Sequence, residues 1–208
     1  MAASTVLYEP SNEGIATITI NRPAVRNAVN HATSLKLAEA FQDFENDASQ
    51  RVCIFTGAGT NFCAGYDLHE VAGSSTGEVA VGRVDRVNGA LGPMGPSRMQ
   101  LSKPVIAAIS GHAVAGGLEL SLLADLRVAD TTAVFGVFCR RFGVPLIDGG
   151  TADLVSAHYS AHDASSLEDA LRFEFERGAL VVAEESVQGA KRFGKGAGRG
   201  GKFEKGKL

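Results

Sequence analysis

The most informative run of apolar and polar positions lies between residues 105 and 129. Val105, Ile106, Ala107, Ala108 and Ile109 continue without a polar break and predict a buried strand. Small residues through Ala115 predict a turn. Leu118, Leu120, Leu122 and Leu123 then predict a short helix, and Asp125 to Ala129 a second strand. Upstream, Ala16, Ile18 and Ile20 alternate with Thr17 and Thr19, a half-buried strand over Gly14 to Asn21. Asn21-Arg22-Pro23 ends it, because proline brings no N–H to a ladder. Leu37, Phe41 and Phe44 recur at helical spacing from about Ser34 to Glu45. Arg51 to Thr56 reads as a short buried strand, and Tyr66-Asp67-Leu68 opens a further helix.

Ala72 to Met99, rich in Gly, Ser, Val and Pro, reads as a mobile loop and short helix over a pocket. Ala133 to Gly136 is a second short extended piece. Asp148, before Gly149 and Gly150, is expected at or near a helix start, where capping is the ordinary role of an Asp. Leu167, Ala170, Leu171 and Phe175 restore helical spacing up to a stop at Gly178, and Leu180 to Phe193 reads as another helix. Gly194 to Leu208 is a Gly/Lys tail, expected to be solvated.

Composition narrows the classes. At 208 residues and 45% hydrophobic, the chain can bury a real core. A net charge of −3 gives no global reason to expect nucleic acid, and the tail cations have no interleaved aromatic platform. No apolar run approaches membrane-spanning length. MAASTVLYEP has neither a secretory nor an Arg-rich leader pattern. Cys53, Cys63 and Cys139 sit in apolar contexts and fit a reducing compartment. The expected location is cytoplasmic, with mitochondrial or peroxisomal placement as alternatives. Gly206-Lys207-Leu208 matches a peroxisomal address only with Gly in place of Ser.

Candidate chemistry concentrates at two strand-to-helix turns. Gly116 and Gly117 lie where the central turn becomes a helix, and Glu119 follows in its first turn. Helix N-terminal N–H groups lack intrahelical partners and favour negative charge. Cys63-Ala64-Gly65 precedes Tyr66 at the second turn. Two such turns can supply the two amides of an oxyanion hole, and a neighbouring carboxylate can move a proton. Packing glycines and a helix-dipole Glu are the alternative readings. Other motifs fail on context. Gly57-Ala58-Gly59 lacks the third glycine of a dinucleotide fingerprint, and Gly111 to Gly117 lacks the Lys of a P-loop. Gly73-Ser74-Ser75-Thr76-Gly77 has no strand before it. The five histidines show no metal-ligand spacing.

ITINRPAVRNAVN, RVCIFTGAGTNFCAGYDL, LSKPVIAAISGHAVAGGLELSLLADLRVA and AVFGVFCRRFGVPLIDGGT together resemble the crotonase, or enoyl-CoA hydratase/isomerase, superfamily. The resemblance implies an α/β fold: a superhelix of ββα repeats, the spiral core of the ClpP/crotonase type, followed by C-terminal helices. Residues 1–153 would form that core, 154–193 a C-terminal helical region and 194–208 the tail. It implies an acyl-CoA substrate and no separate cofactor, with a homotrimer or hexamer as the usual assembly. Neither nucleic acid nor membrane is an expected partner. By motif position, the amides of Tyr66 and Gly116 would hold the thioester oxygen, and Glu119 falls on the first hydratase glutamate. Arg26, Ala64, Gly65, Asp67 and Leu68 would lie along the CoA moiety.

Two departures stand out. Cys139 takes the place of the second hydratase glutamate, and a thiol whose ordinary pKa is about 8.5, raised further by burial, cannot replace a carboxylate. Asp148 falls where some isomerases and a dehalogenase of the superfamily carry a catalytic Asp. The turn dipole is expected to keep it ionised, leaving Glu119 with the raised pKa. Near Asp153 to Ser156 the chain jumps to what resembles the family's C-terminal region, so a segment that closes the acyl pocket is expected to be absent. A catalytically impaired acyl-CoA-binding paralogue or shortened isoform is the alternative to an enzyme.

Overall fold

A computed structural model describes residues 3–73, 91–149 and 182–196. Its main sheet has five strands in the order β1 (Val6–Glu9), β2 (Ile15–Ile20), β3 (Val52–Gly57), β4 (Val105–Ile109) and β6 (Leu126–Ala129). β1 runs antiparallel to β2, and every later pairing is parallel. Between β4 and β6 in the chain, β5 (His112–Val114) leaves this sheet and pairs in parallel with β7 (Val134–Gly136). The sequence pattern predicted a turn where β5 lies. Three residues are too few to show a period, so this strand is made by its partners.

Helix α1 (His31–Asn46) covers the sheet. It begins three residues before the expected Ser34, because Asn30 caps it: the Asn30 Oδ1 accepts from Thr33 N–H at 3.0 Å. Its Leu37, Phe41 and Phe44 are fully buried, as the spacing predicted. Phe41 meets Phe55 of β3 edge-on at 5.1 Å between ring centroids, and Phe55 meets Phe62 in the same way at 5.1 Å. Ile18 and Ile20 of β2 complete this main core.

A second, smaller core joins distant parts of the chain. Val71 of α2 (Leu68–Gly73), Ile147, Val182 and Ala190 cluster with Tyr66, Leu68 and Ala72 at their edge. Ala190 belongs to the last helix. Leu180 to Phe193 was expected as one helix, and from Val182 the described chain is helical without a break, with π-type bonding over Val182–Ser186 running into α4 (Val187–Gly194). Gly189 lets α4 sit directly on Phe142, since a Cβ there would lie 1.7 Å from the Phe142 carbonyl oxygen. Phe193 adds an edge contact to Phe142 at 5.3 Å. At the far edge of the main sheet, Leu126 and Val128 of β6 are exposed. The loop read over Ala72 to Met99 is described only at its ends, where Pro96–Arg98 forms a 3-10 turn. The helix expected around Leu167 to Phe175 and most of the Gly/Lys tail lie outside the described residues.

Candidate active site

Parallel ladders bring the two glycine turns together. Phe62 and Cys63 run beside β5: Phe62 N–H donates to Ser110 O at 2.8 Å, Cys63 N–H to His112 O at 2.8 Å, and Val114 N–H to Cys63 O at 3.1 Å. β5 then breaks at Ala115, which holds φ +53 and donates its N–H to Gly136 O at 2.9 Å. Helix α3 (Gly116–Leu122) starts there. On the other chain Gly65 holds φ +94. A Cβ on Gly65 would stand 3.0 Å from Ala115 Cβ and 3.1 Å from both Gly116 N and Val114 O. Only a residue with no side chain fits between these turns.

The other glycines also serve close approach. A Cβ on Gly117 would meet the Cys63 carbonyl oxygen at 2.2 Å, and one on Gly116 would meet Met94 Sδ at 2.8 Å. The open backbone expected at these positions is therefore covered by protein on their Cα faces. Their amides are a separate matter. The peptide groups flanking Tyr66 are used, Val29 N–H donating to Gly65 O at 2.9 Å and Asp67 N–H to Val29 O at 2.8 Å. Among the described residues, no acceptor is bonded to the N–H of Tyr66 or to that of Gly116.

The loop before α1 locks the Tyr66 turn in place. Asn27, fully buried with φ +56, accepts from Arg22 N–H at 2.9 Å and donates from Nδ2 to Ala58 O at 2.9 Å and Asn61 O at 2.6 Å. Asn tolerates this left-handed conformation better than most residues. Arg22 reaches Asp67 Oδ2 at 3.1 Å and also donates to Ala28 O. Asp67 is thus committed twice, since its Oδ1 accepts from His69 N–H at 3.1 Å at the start of α2. Glu70 Oε2 accepts from His31 N–H at 2.7 Å and from the Tyr66 hydroxyl at 3.1 Å. Burial first, then the Glu70 charge, push the Tyr66 phenol up.

Of the residues expected along a cofactor, Ala64 donates its N–H to Arg26 O at 3.0 Å, and Leu68 packs on the second core. Arg26 itself is exposed, at φ +54. Asn27, Arg22 and Glu70 were not singled out in the sequence. The signal was present for Asn27, an Asn between Arg26 and Ala28 in a Pro-led turn.

Glu119 and Asp148 come together. Glu119 is 3% exposed and Asp148 4%. Asp148 N–H donates to Glu119 Oε1 at 2.9 Å. On the Asp148 carboxyl, Oδ1 accepts from Met94 N–H at 2.7 Å and from the Ser97 hydroxyl at 2.6 Å. The carboxyl binds these two donors from the 92–97 turn; the residues from 150 to 181, where a helix was expected to start, lie outside the described ones. The turn dipole was expected to favour the ionised Asp148; burial acts in the opposite direction. Burial removes the carboxyl from water and pushes its pKa up, against the hydrogen bonds from Ser97 and Met94 and the charge of Arg98, which favour ionisation. Cys139 begins the 3-10 turn Cys139–Phe142. Burial and the neighbouring Glu119 charge push its thiol up to about 11, so it stays neutral.

The sequence matches the family described as enoyl-CoA hydratase/isomerase over residues 10–157. It is 40% identical over 144 residues to the bovine (Bos taurus) mitochondrial enoyl-CoA hydratase domain-containing protein 2, covering 69% of this chain and 47% of that protein. A crystal structure of enoyl-CoA hydratase from Mycobacterium tuberculosis H37Rv superposes with TM-score 0.62 at 40% identity, over 73% of this chain and 56% of that one. One from Mycobacterium marinum gives TM-score 0.62 at 34% identity, over 91% of this chain and 66% of that one. The chain spans about half the length of the curated relatives it matches.

Proposed function

The chain belongs to the enoyl-CoA hydratase/isomerase family, and from that premise we propose that it acts on an acyl-CoA thioester by way of an enolate. The thioester oxygen gains negative charge when a proton leaves the α-carbon. The amides of Tyr66 and Gly116 donate to that oxygen, and a site of low dielectric makes both bonds worth far more than in water. Glu119 exchanges the proton with carbon, and Asp148 is its partner. The observation that carries this reading is the contact of the two turns, with Gly65 wedged against Gly116 N and neither nearby amide bonded among the described residues.

Cys139 favours one reaction within the class over the other. Hydration of the usual kind needs two carboxylates on one face, one to activate water and one to protonate carbon. A neutral, buried thiol beside Glu119 supplies neither. Double-bond isomerisation needs only a proton moved from one carbon to another, which one carboxyl can perform. Isomerisation of 3-enoyl-CoA is therefore the favoured reaction, with hydration, Asp148 standing in for the second carboxylate, as the other member of the class. Arg26, Ala64 and Gly65 are the proposed contacts of the CoA moiety, and Asp67 and Leu68 support that loop.

The same thiol, and the half-length match to relatives, favour a second reading, a protein that binds acyl-CoA without turning it over. One experiment separates the two. The purified protein is assayed with crotonyl-CoA and with a 3-enoyl-CoA, and its particle mass is measured with and without the thioester. Turnover of either ester supports the enzyme, and binding without turnover supports the second reading. A mass of three or six chains supports the family's usual homotrimer or hexamer. No described helix is long and apolar enough to cross a membrane. Three buried free thiols agree with the cytoplasm as the proposed compartment.

A further inference from the structure

A short turn closes over Asp148. Gly92 and Gly95 exchange backbone hydrogen bonds, 2.8 Å from Gly92 N–H and 2.9 Å from Gly95 N–H, which folds residues 92–95 back on themselves. From inside this turn the Met94 N–H reaches Asp148 Oδ1, and the Ser97 hydroxyl reaches the same oxygen from the next residue but two. The space is full. A Cβ on Gly92 would stand 2.1 Å from Ser97 Oγ and 2.5 Å from Asp148 Oδ1. The Met94 side chain meanwhile lies over Gly116, so one turn touches both the carboxyl and the oxyanion amide's own residue.

We propose that Ser97 is a positioning residue for Asp148: with the Met94 N–H it occupies Oδ1 and so directs the carboxyl's exchangeable proton to Oδ2. This rests on the reading of Asp148 as the partner of Glu119. The reason is the chemistry of a carboxylic acid, whose hydroxyl oxygen donates and accepts poorly while its carbonyl oxygen accepts well. An oxygen receiving two short hydrogen bonds keeps carbonyl character, and the proton resides on the other. The neighbouring charges are compatible with this. Arg98 of the same turn favours the ionised carboxyl, and Glu119 of α3 binds the Asp148 backbone. Cys63 and Tyr66 of the glycine loop face it as neutral groups whose ionisation Asp148 opposes.

Titration of the Asp148 carboxyl by carbon-13 NMR tests the proposal, in the wild type, Ser97→Ala and Ser97→Thr, with Asp148→Asn to assign the signal. Loss of the donor is expected to raise the midpoint by about one pH unit, and Thr, which keeps the hydroxyl, to restore it. Should Ser97→Ala not fold, Ser97→Cys keeps the volume and loses the strong donor. A midpoint that stays in place in Ala or Cys, or that moves equally in Thr, overturns the proposal. The pH profile of kcat/KM on 3-enoyl-CoA reads the same effect in turnover: the limb that vanishes in Asp148→Asn moves up in Ser97→Ala. If neither ester is turned over, the reading as an enzyme fails, and the NMR midpoint still decides the role of Ser97.

Discussion

Asp148 meets Glu119 backbone to carboxyl, its N–H donating to Glu119 Oε1 at 2.9 Å. Glu119 receives a neutral donor that orients it without supplying a proton, and the Asp148 carboxyl is held by the 92–97 turn.

Glu119→Gln is the first consequence. The amide keeps an oxygen to accept from Asp148 N–H, so the fold is expected to survive, with a melting temperature near that of the wild type. Proton transfer is lost, and kcat/KM on 3-enoyl-CoA is expected to fall by about 100-fold or more. Unchanged turnover would remove Glu119 from the mechanism.

Gly65→Ala strikes the contact between the two turns. Alanine at φ +94 is strained, and its methyl would enter a gap where 3.0 Å separates it from Ala115 Cβ. A loss of about 2 kcal/mol is expected in urea unfolding, combining the backbone and crowding costs. Turnover per folded molecule should fall too, because the Gly116 amide must shift.

Asn27→Ala removes three hydrogen bonds from a fully buried position that also requires positive φ. The expected loss is about 3 kcal/mol, since Arg22 N–H and the carbonyls of Ala58 and Asn61 are left without their partner. Asn27→Asp returns the acceptor and not the donor, and should recover only part. Chemical denaturation at pH 7 compares the three proteins.

Alkaline pH should weaken the fold through its thiols. Burial pushes Cys53 and Cys63 up to about 12 and Cys139 to about 11, above the ordinary value near 9. The native state therefore binds these protons more tightly than the unfolded chain does. The contribution is fully present below about pH 9 and is lost as pH rises toward 11 and 12. Urea midpoints at pH 7, 9 and 10.5 should fall in that order, and Cys53→Ala should flatten the fall. At pH 7 the native thiols should react with an aromatic disulfide reagent only as fast as the protein opens.

The local elements were legible because their signals are local. Ile18 and Ile20 alternate, and Phe41 and Phe44 recur on one face of α1, so their burial follows from short-range pattern alone. The start of α1 was misplaced by three residues because Asn30 acts through one specific bond to Thr33, which periodicity does not register. β5 was missed because it exists only between Cys63 and β7.

The site divides along the same line. The family resemblance implied that a thiol takes the place of a second glutamate; residue order along the chain determined that two glycine turns follow buried strands and that a carboxylate stands in the first turn after one of them. These are facts of spacing, and one helical turn is enough to express them. Tertiary structure alone decided that Gly65 lies against Gly116, that Arg22 pairs with Asp67 across 45 residues, and that Met94 and Ser97 fall on one oxygen of Asp148. It also set the direction in which the Asp148 carboxyl is pushed, upward through burial against the pull of Ser97, Met94 and Arg98, because a carboxyl's pKa follows the water it loses and the donors it meets, and both are set by segments far away in the chain.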